Sequence, residues 1–261
     1  FDIDKKKSKE ISEKYKIPLL KLNQLIQESD VVDITSKTDT HFELIKLSLK
    51  EKKHLFVEKP ICETLKEIKI IKKLKKSLKT HIQVGFIERF NPAFLSLHSV
   101  KFTAKHIKSI RSTPLLSRNK KNSIIQDLMI HDIDIINTII KSSPKNINIL
   151  KKKKNHVNCI ITFKNGCVAE LTSERTNSKR KKLERKMIIQ TEDEREIIID
   201  FVKQETKVKK QSEILFLKSK KTNQLEEELK YLHKCIINKQ ENNISLDAAE
   251  KCTIIIKEIE K

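Results

Sequence analysis

Glycine is nearly missing from this chain, with two residues, Gly85 and Gly166, among 261. So little glycine leaves no G-x-G-x-x-G loop, the turn whose bare backbone lets a helix N-terminus approach a pyrophosphate. No apolar run approaches the roughly 18 residues of a membrane span. The opening Phe1-Asp2-Ile3-Asp4-Lys5 has no signal-peptide pattern either, so a soluble, cytoplasmic protein is expected. The five cysteines, Cys62, Cys159, Cys167, Cys235 and Cys252, are odd in number and include no C-x-x-C pair. That usage fits reduced thiols and gives no zinc pattern, so no structural metal is expected. Acidic residues are also short, 35 Asp and Glu against 56 Lys and Arg, which leaves a formal net charge of +21. Such an excess raises nucleic acid, an anionic membrane or a phosphorylated ligand as partner. Aromatics make up only 5%, with no aromatic-rich strand motif and no recognition-helix signature, which counts against nucleic acid. The excess is mostly lysine and accompanies abundant Ile and Asn, so compositional bias accounts for it as readily as a binding surface does. The run Lys151 to Lys154 reads as a solvated strand end or turn.

Hydrophobic residues at 37% and charged residues at 35% describe a globular chain with a proper core, in one large domain or two ordinary ones. Phe1 to Asp4 reads as the end of a strand. Ile11 and Tyr15, spaced i and i+4 among charges, predict a helix before Pro18, and Leu22, Leu25 and Ile26 predict a short second one. Asp30 to Ile34 reads as a buried strand, followed by the turn-like Thr35 to Asp39. Thr40-His41-Phe42-Glu43 has the form of a capping box opening the next helix, and Thr64-Leu65-Lys66-Glu67 repeats that form. Strands are predicted over His54 to Val57 and His81 to Phe86. Strands alternating with helices imply parallel βαβ units, whose ligands lie beyond the carboxyl ends of the strands, where Glu58-Lys59-Pro60 sits.

After Pro92 the rhythm changes, which divides the chain into residues 1–92 and 93–261. A strand at Ile107 to Ser112 leads through a polar loop to a helix carrying Asp127 and His131. Alternation at Val157, Cys159, Ile161 and Phe163, the hairpin signal Asn165-Gly166, and runs at Cys167 to Thr172, Lys186 to Gln190, Glu196 to Val202 and Ile214 to Leu217 predict a large, mostly antiparallel open sheet. Helices at about Asn223 to Ile237 and Leu246 to Ile259 close the chain. In the middle helix, Asp127 and His131 stand i and i+4, so carboxylate and imidazole share one face. That pairing suits proton transfer near neutral pH, with the carboxylate favouring the protonated imidazole. The alternative is a helix cap and an ordinary partner on its face.

Three motifs in this order, Glu58-Lys59-Pro60, then Gly85-Phe86-Ile87-Glu88-Arg89-Phe90-Asn91-Pro92, then Asp127-x-x-x-His131-x-x-Asp134, resemble the serial motifs of the glucose-fructose oxidoreductase, inositol dehydrogenase and MocA family. The resemblance covers nearly the whole chain. It implies an α/β fold: an incomplete NAD(P)-binding Rossmann domain, then an α+β domain that binds substrate and whose open sheet mediates homo-oligomers, dimers or tetramers. It implies NAD, or NADP, as cofactor and a sugar or nucleotide sugar as substrate. On the cofactor it places Asp2, Ser36, His41, Glu58, Lys59, Pro60 and Arg89, with Lys59 near the nicotinamide, Glu58 on its ribose and the Lys59-Pro60 bond cis. Asp2 matches the acidic residue that binds the adenosine ribose and disfavours a 2'-phosphate. On catalysis it places Lys59, His131 as general base and Asp127 on a substrate hydroxyl. Arg89, Arg118 and Arg175 are candidates for substrate phosphates, since guanidinium forks suit them.

Within the family, Arg89-Phe90-Asn91-Pro92 and Leu128-Met129-Ile130-His131-Asp132-Ile133-Asp134 look most like the dehydrogenases of the UDP-N-acetylglucosamine 3-hydroxyl, which serve lipid A and other surface glycans. Two departures stand against this. The glycine loop is absent, which reads as a missing N-terminal segment, and Ser36-Lys37 replaces the family's Thr-Pro. They support two alternatives: a catalytically silent relative that binds a sugar nucleotide or a protein partner, or a dehydrogenase of another sugar or polyol.

Overall fold

The computed structural model of the protein describes residues 1–116, 122–176 and 183–261. Its first layer is a parallel sheet of β1 (Val31–Ile34), β2 (His54–Val57) and β3 (Ile82–Val84), in that order. Helices α1 (Lys5–Tyr15) and α2 (Leu22–Glu28) precede it, and α3 (Thr38–Lys50) and α4 (Leu65–Lys75) make the crossovers. The capping box at α4 forms as predicted: Thr64 Oγ1 accepts from Glu67 N–H at 3.2 Å while Glu67 Oε2 accepts from Thr64 N–H at 2.8 Å. The one predicted at Thr40 does not. Helix α3 begins at Thr38 behind Lys37, and Thr40 Oγ1 donates instead to Lys37 O, because a threonine already inside the first turn satisfies its hydroxyl on the chain behind it.

Phe1 to Asp4 is not a strand. Asp4 accepts from Lys7 N–H as the N-cap of α1, and Asp2 accepts from Asp4 N–H, so these carboxylates serve a helix start and the segment pairs with no strand of the sheet. The predicted burial of β1 holds on one face only: Val32 and Ile34 are in the core while Val31 is exposed.

After β3 come a 3-10 turn (Ile87–Phe90) and the short helix α5 (Pro92–Leu95). The second sheet is built from β4 (Ala104–Pro114), β5 (Pro144–Lys153), β6 (His156–Phe163), β7 (Val168–Thr176), β8 (Glu184–Thr191), β9 (Glu196–Asp200), β10 (Glu205–Lys210) and β11 (Glu213–Leu217). Its order is β11-β10-β9-β8-β4-β7-β6-β5, antiparallel throughout except that β4 and β7 run parallel. The hairpin at Asn165-Gly166 forms, with Gly166 at φ +89°. Strands β5 and β10, rich in lysine and asparagine, have no counterpart in the sequence reading beyond the solvated strand end at Lys151 to Lys154. β5 is an edge of the sheet, where exposed lysines are tolerated, whereas β10 lies between β9 and β11, with Thr206 and Val208 buried and Lys207 and Lys209 on its other, less buried face.

One face of this sheet packs on α6 (Ile130–Ile140), led in by a π-helical turn (Ile125–Met129), and on the segment that follows β3. Helix α7 (Gln224–Ile237) packs on the 3-10 turn, and α8 (Leu246–Glu260) inserts between α4 and α6. Just before α8 the chain adds no strand but accepts one bond from β3, Val84 N–H donating to Ile244 O at 3.1 Å, so the C-terminal segment returns to the first sheet. One continuous apolar cluster joins both sheets, from Leu55 and Ile82 through Ile133 to Ile161 and Ile189, with Ile255 and Ile259 of α8 closing it. All five cysteines are buried and free, and burial pushes the thiols of Cys62 and Cys159 up to about 12. Among the described residues no helix is long and apolar enough to cross a membrane.

Candidate active site

The carboxyl ends of the three parallel strands present Ser36 after β1, Glu58-Lys59-Pro60 after β2 and Gly85 after β3. The Lys59-Pro60 peptide is cis, as the resemblance implied. Glu58 turns back on its own loop and accepts from Lys59 N–H at 3.1 Å. Its carboxylate lies against Gly85: a Cβ built there would meet Glu58 Oε2 at 2.9 Å and Cδ at 3.1 Å. One of the chain's two glycines therefore stands where only a bare backbone lets this carboxylate pass.

Lys59 leaves the strand end and crosses to the π-helical turn. Its Nζ donates to Asp127 O at 2.7 Å and to Asp127 Oδ1 at 3.3 Å. The second carboxylate oxygen, Oδ2, accepts from Arg175 Nη2 at 2.7 Å, while Arg175 Nη1 donates to Asn122 O at 2.7 Å. Asp127 is thus held between two cations from two sheets. Burial alone would raise its pKa, but Lys59 and Arg175 outweigh it and hold the carboxyl below the usual range. Burial lowers the pKa of Lys59, with Asp127 opposing.

His131 opens α6 one turn further on. The π turn breaks the regular α-helical register in which the i and i+4 pairing was drawn, and no hydrogen bond joins Asp127 to His131 among the described residues. The predicted effect of a carboxylate on His131 is reversed. Burial pushes its pKa well below the usual histidine range, and the cations Lys59, Arg111 and Arg185 push the same way. Both effects favour the uncharged ring. Its Nδ1 is buried with no hydrogen-bond partner among the described residues.

Several predicted contacts fall elsewhere. His41 is fully buried, with Nδ1 3.0 Å from Pro60 O and Nε2 3.0 Å from Ser36 O, so its ring sits between two backbone carbonyls and a single N–H donates to one of them, depending on tautomer. It sits between the loop after β1 and the loop after β2. Ser36 Oγ pairs with Thr40 Oγ1 at 2.6 Å. Asp2 is exposed and bonded to Asp4, off the strand ends where it was expected. Arg89 forks onto Asp134, Nε to Oδ2 at 2.7 Å and Nη2 to Oδ1 at 2.6 Å, because a carboxylate buried in an apolar helix requires a partner. Arg175 is likewise committed, its side chain 0% exposed. Arg118 lies outside the described residues.

The sequence reading missed a buried ion network beneath this site. Arg111, 1% exposed on β4, donates from Nη1 to Glu88 Oε1 at 2.9 Å and from Nε and Nη2 to Asp132 at 2.9 and 3.0 Å. Arg185 reaches Glu88 at 3.4 Å and Asn91 Nδ2 donates to Glu88 at 3.0 Å. The signal was present as charge inside apolar runs, at Asp132 and Asp134 within Ile130 to Ile140. A buried carboxylate demands a cation, although its place in the chain is not written there.

Residues 1–86 match a family described as oxidoreductases with an NAD-binding Rossmann fold. Over these residues the chain is similar to that oxidoreductase family, the glucose-fructose oxidoreductase, inositol dehydrogenase and MocA group. Among its relatives, a UDP-N-acetylglucosamine 3-dehydrogenase of Acidithiobacillus ferrooxidans is 26% identical over 160 residues, covering 59% of this chain and 51% of the relative. An inositol 2-dehydrogenase of Rhizobium meliloti is 27% identical over 128 residues, covering 45% of this chain and 38% of the relative. These matches thus span about half the length of the curated relatives or less. The solved structure of the Acidithiobacillus ferrooxidans enzyme superposes with a TM-score of 0.94 at 20% identity, covering all of this chain and 87% of the other. A levoglucosan dehydrogenase solved with NADH gives 0.84 at 15%, covering 99% and 85%.

Proposed function

We propose that the protein is an NAD(P)-dependent dehydrogenase that oxidises a secondary alcohol of a sugar or nucleotide sugar, and that the 3-hydroxyl of UDP-N-acetylglucosamine is its substrate. The observation that carries this reading is the Lys59–Asp127 contact at a parallel strand end beside a buried His131 whose uncharged form is favoured. It brings a cation, a fixed carboxylate and a base to the place where this fold binds dinucleotides. The 3-dehydrogenase of Acidithiobacillus ferrooxidans, similar in sequence and in fold, supports the choice of sugar.

The residues fit an NAD nicotinamide. Glu58 is drawn against Gly85, and His41 sits between the loops of Ser36 and Pro60, which leaves a polar rim beyond the strands. Glu58 and the Ser36 loop would hold the cofactor, which when bound takes the hydride from the sugar carbon. Asp127, oriented by Arg175, would accept a hydrogen bond from a substrate hydroxyl. Lys59 would stabilise the charge that grows on the reacting oxygen as its proton leaves. His131 would accept that proton. A base whose charged form burial disfavours is ready to accept a proton, at some cost in basicity.

The open face of the eight-stranded sheet is the surface we assign to self-association. The second reading, a silent relative, draws on Asp127, whose two carboxylate oxygens both have partners already. The protein as its gene encodes it is offered NAD or NADP with UDP-N-acetylglucosamine, myo-inositol and glucose, and absorbance at 340 nm is followed. Turnover preferring the nucleotide sugar is expected. Binding of the sugar nucleotide without reduction of the cofactor would establish the silent relative, and preference for inositol would overturn the choice of sugar.

A further inference from the structure

A second concavity lies away from Lys59. A cleft of about 690 Å³ lies between α4, the chain entering β3 and the start of α8. Thr80 and His81 line it just before β3, whereas Gly85 and the proposed active site follow β3. The two are separated by roughly 16 Å of extended chain, at about 3.3 Å per residue. The cleft is of the size of small-ligand sites, roughly 300–1,000 Å³.

Its walls are chemically lopsided. Six lysines line it against three carboxylates, Glu241, Asp247 and Glu250. Lys72 alone takes up two of those carboxylates, Asp247 at 2.5 Å and Glu250 at 2.6 Å. Among the described residues no ion pair engages Lys69, Lys73, Lys75, Lys76 or Lys79. At the mouth, Ser245 is the N-cap of the 15-residue α8 but makes no side-chain cap, so the first N–H groups of that helix lack the usual partner. A further sign is buried in the wall. Thr80 is 6% exposed, and its Oγ1 has no hydrogen-bond partner among the described residues. A hydroxyl taken from water without a partner is unfavourable, and a bound acceptor would satisfy it. Leu78, Ile82 and Leu246 supply an apolar floor.

We propose that this cleft is a second binding site, for a small phosphate-bearing molecule, whose phosphates contact Lys69, Lys73, Lys76 and Lys79 and the first turn of α8, with Thr80 as hydrogen-bond partner. Concavity favours a small ligand over nucleic acid, which needs an extended track with stacking aromatics, and the only aromatic ring here is His81. The inference does not depend on the redox reading.

Titration calorimetry on the full chain at 0.15 M salt tests it, with inorganic tripolyphosphate and ATP as probes. Saturable binding at one site is expected. Lys73→Glu/Lys76→Glu/Lys79→Glu should weaken it at least tenfold, and Thr80→Val three- to tenfold, with the melting temperature of Thr80→Val within a few degrees of wild type. A matched reversal away from the cleft, Lys218→Glu/Lys220→Glu/Lys221→Glu, should change it less than twofold. If ATP binds more tightly than tripolyphosphate, and this too is lost with the cleft lysines, the ligand class is nucleotide; equal affinity points to inorganic phosphate. Three results would overturn the proposal: no binding at millimolar probe, equal losses from both triple reversals, or displacement of tripolyphosphate by single-stranded RNA that both reversals weaken alike.

Discussion

Glu228 on α7 gives the sharpest test of the electrostatics under the proposed site. It is fully buried, neither carboxylate oxygen has a partner among the described residues, and its pKa is pushed up from 4.5 to about 8, first by burial and then by the Glu58, Asp33 and Asp134 carboxylates. Between those two values the folded chain holds a proton that the unfolded chain has released. Stability therefore falls as pH rises, by about 1.4 kcal/mol per unit, amounting to about 3 kcal/mol by pH 7. Glu228→Gln removes this proton linkage while keeping the shape. Urea unfolding of both proteins at pH 5, 6, 7 and 8 reads it directly, because contributions from all other groups cancel in the difference. The variant should gain on the wild type by about 2–3 kcal/mol between pH 5 and pH 7, whatever the offset at pH 5. Parallel profiles would refute the assignment of a neutral buried acid.

Three further outcomes follow from the contacts around the site. Arg111→Met leaves Asp132 buried without its cation and Glu88 with only Arg185 at 3.4 Å, and should cost about 3–5 kcal/mol by urea unfolding, with partial recovery when Glu88→Gln and Asp132→Asn are added. Gly85→Ala drives a Cβ to 2.9 Å from Glu58 Oε2, so Glu58 must move. A loss of about 1–3 kcal/mol and weaker NADH binding by fluorescence titration are expected, the former typical of overpacking. Arg175→Leu releases one oxygen of Asp127 and lets its pKa rise toward the usual range. A fall of about 10- to 100-fold in kcat/KM is expected, the size of one lost charge-assisted hydrogen bond, with partial rescue in Arg175→Lys.

The parallel half of the fold was legible because its signals are local: a β-branched run at 31–34, a short apolar run at 54–57 leading into Glu58-Lys59-Pro60, and a true capping box at Thr64. The β-branched alternation of β6 and the glycine of its hairpin were equally plain. Strands β5 and β10 were not, since lysine and asparagine are poor strand formers and sit there only because neighbouring strands supply the packing. In the site, Lys59, Asp127 and His131 could be named from motifs. What joins them could not, because Lys59 and Asp127 are 68 residues apart and Arg175 lies another 48 beyond. His41 shows the same limit, since a histidine near a helix start gives no hint that it will sit between two loops. The π turn at Asp127 is set by tertiary contacts and leaves no mark in the periodicity.

The central claim is that Lys59 and His131 handle the proton of a sugar hydroxyl while its carbon gives up a hydride. The measurement that bears on it most directly is the rate of NADH formation from UDP-N-acetylglucosamine by the protein as its gene encodes it, with Lys59→Met and His131→Asn alongside. The wild type should turn over, and each variant should lose about 100-fold or more in kcat, within the range of general acid–base catalysis, while still binding the sugar nucleotide. Wild-type turnover in both variants would contradict the account.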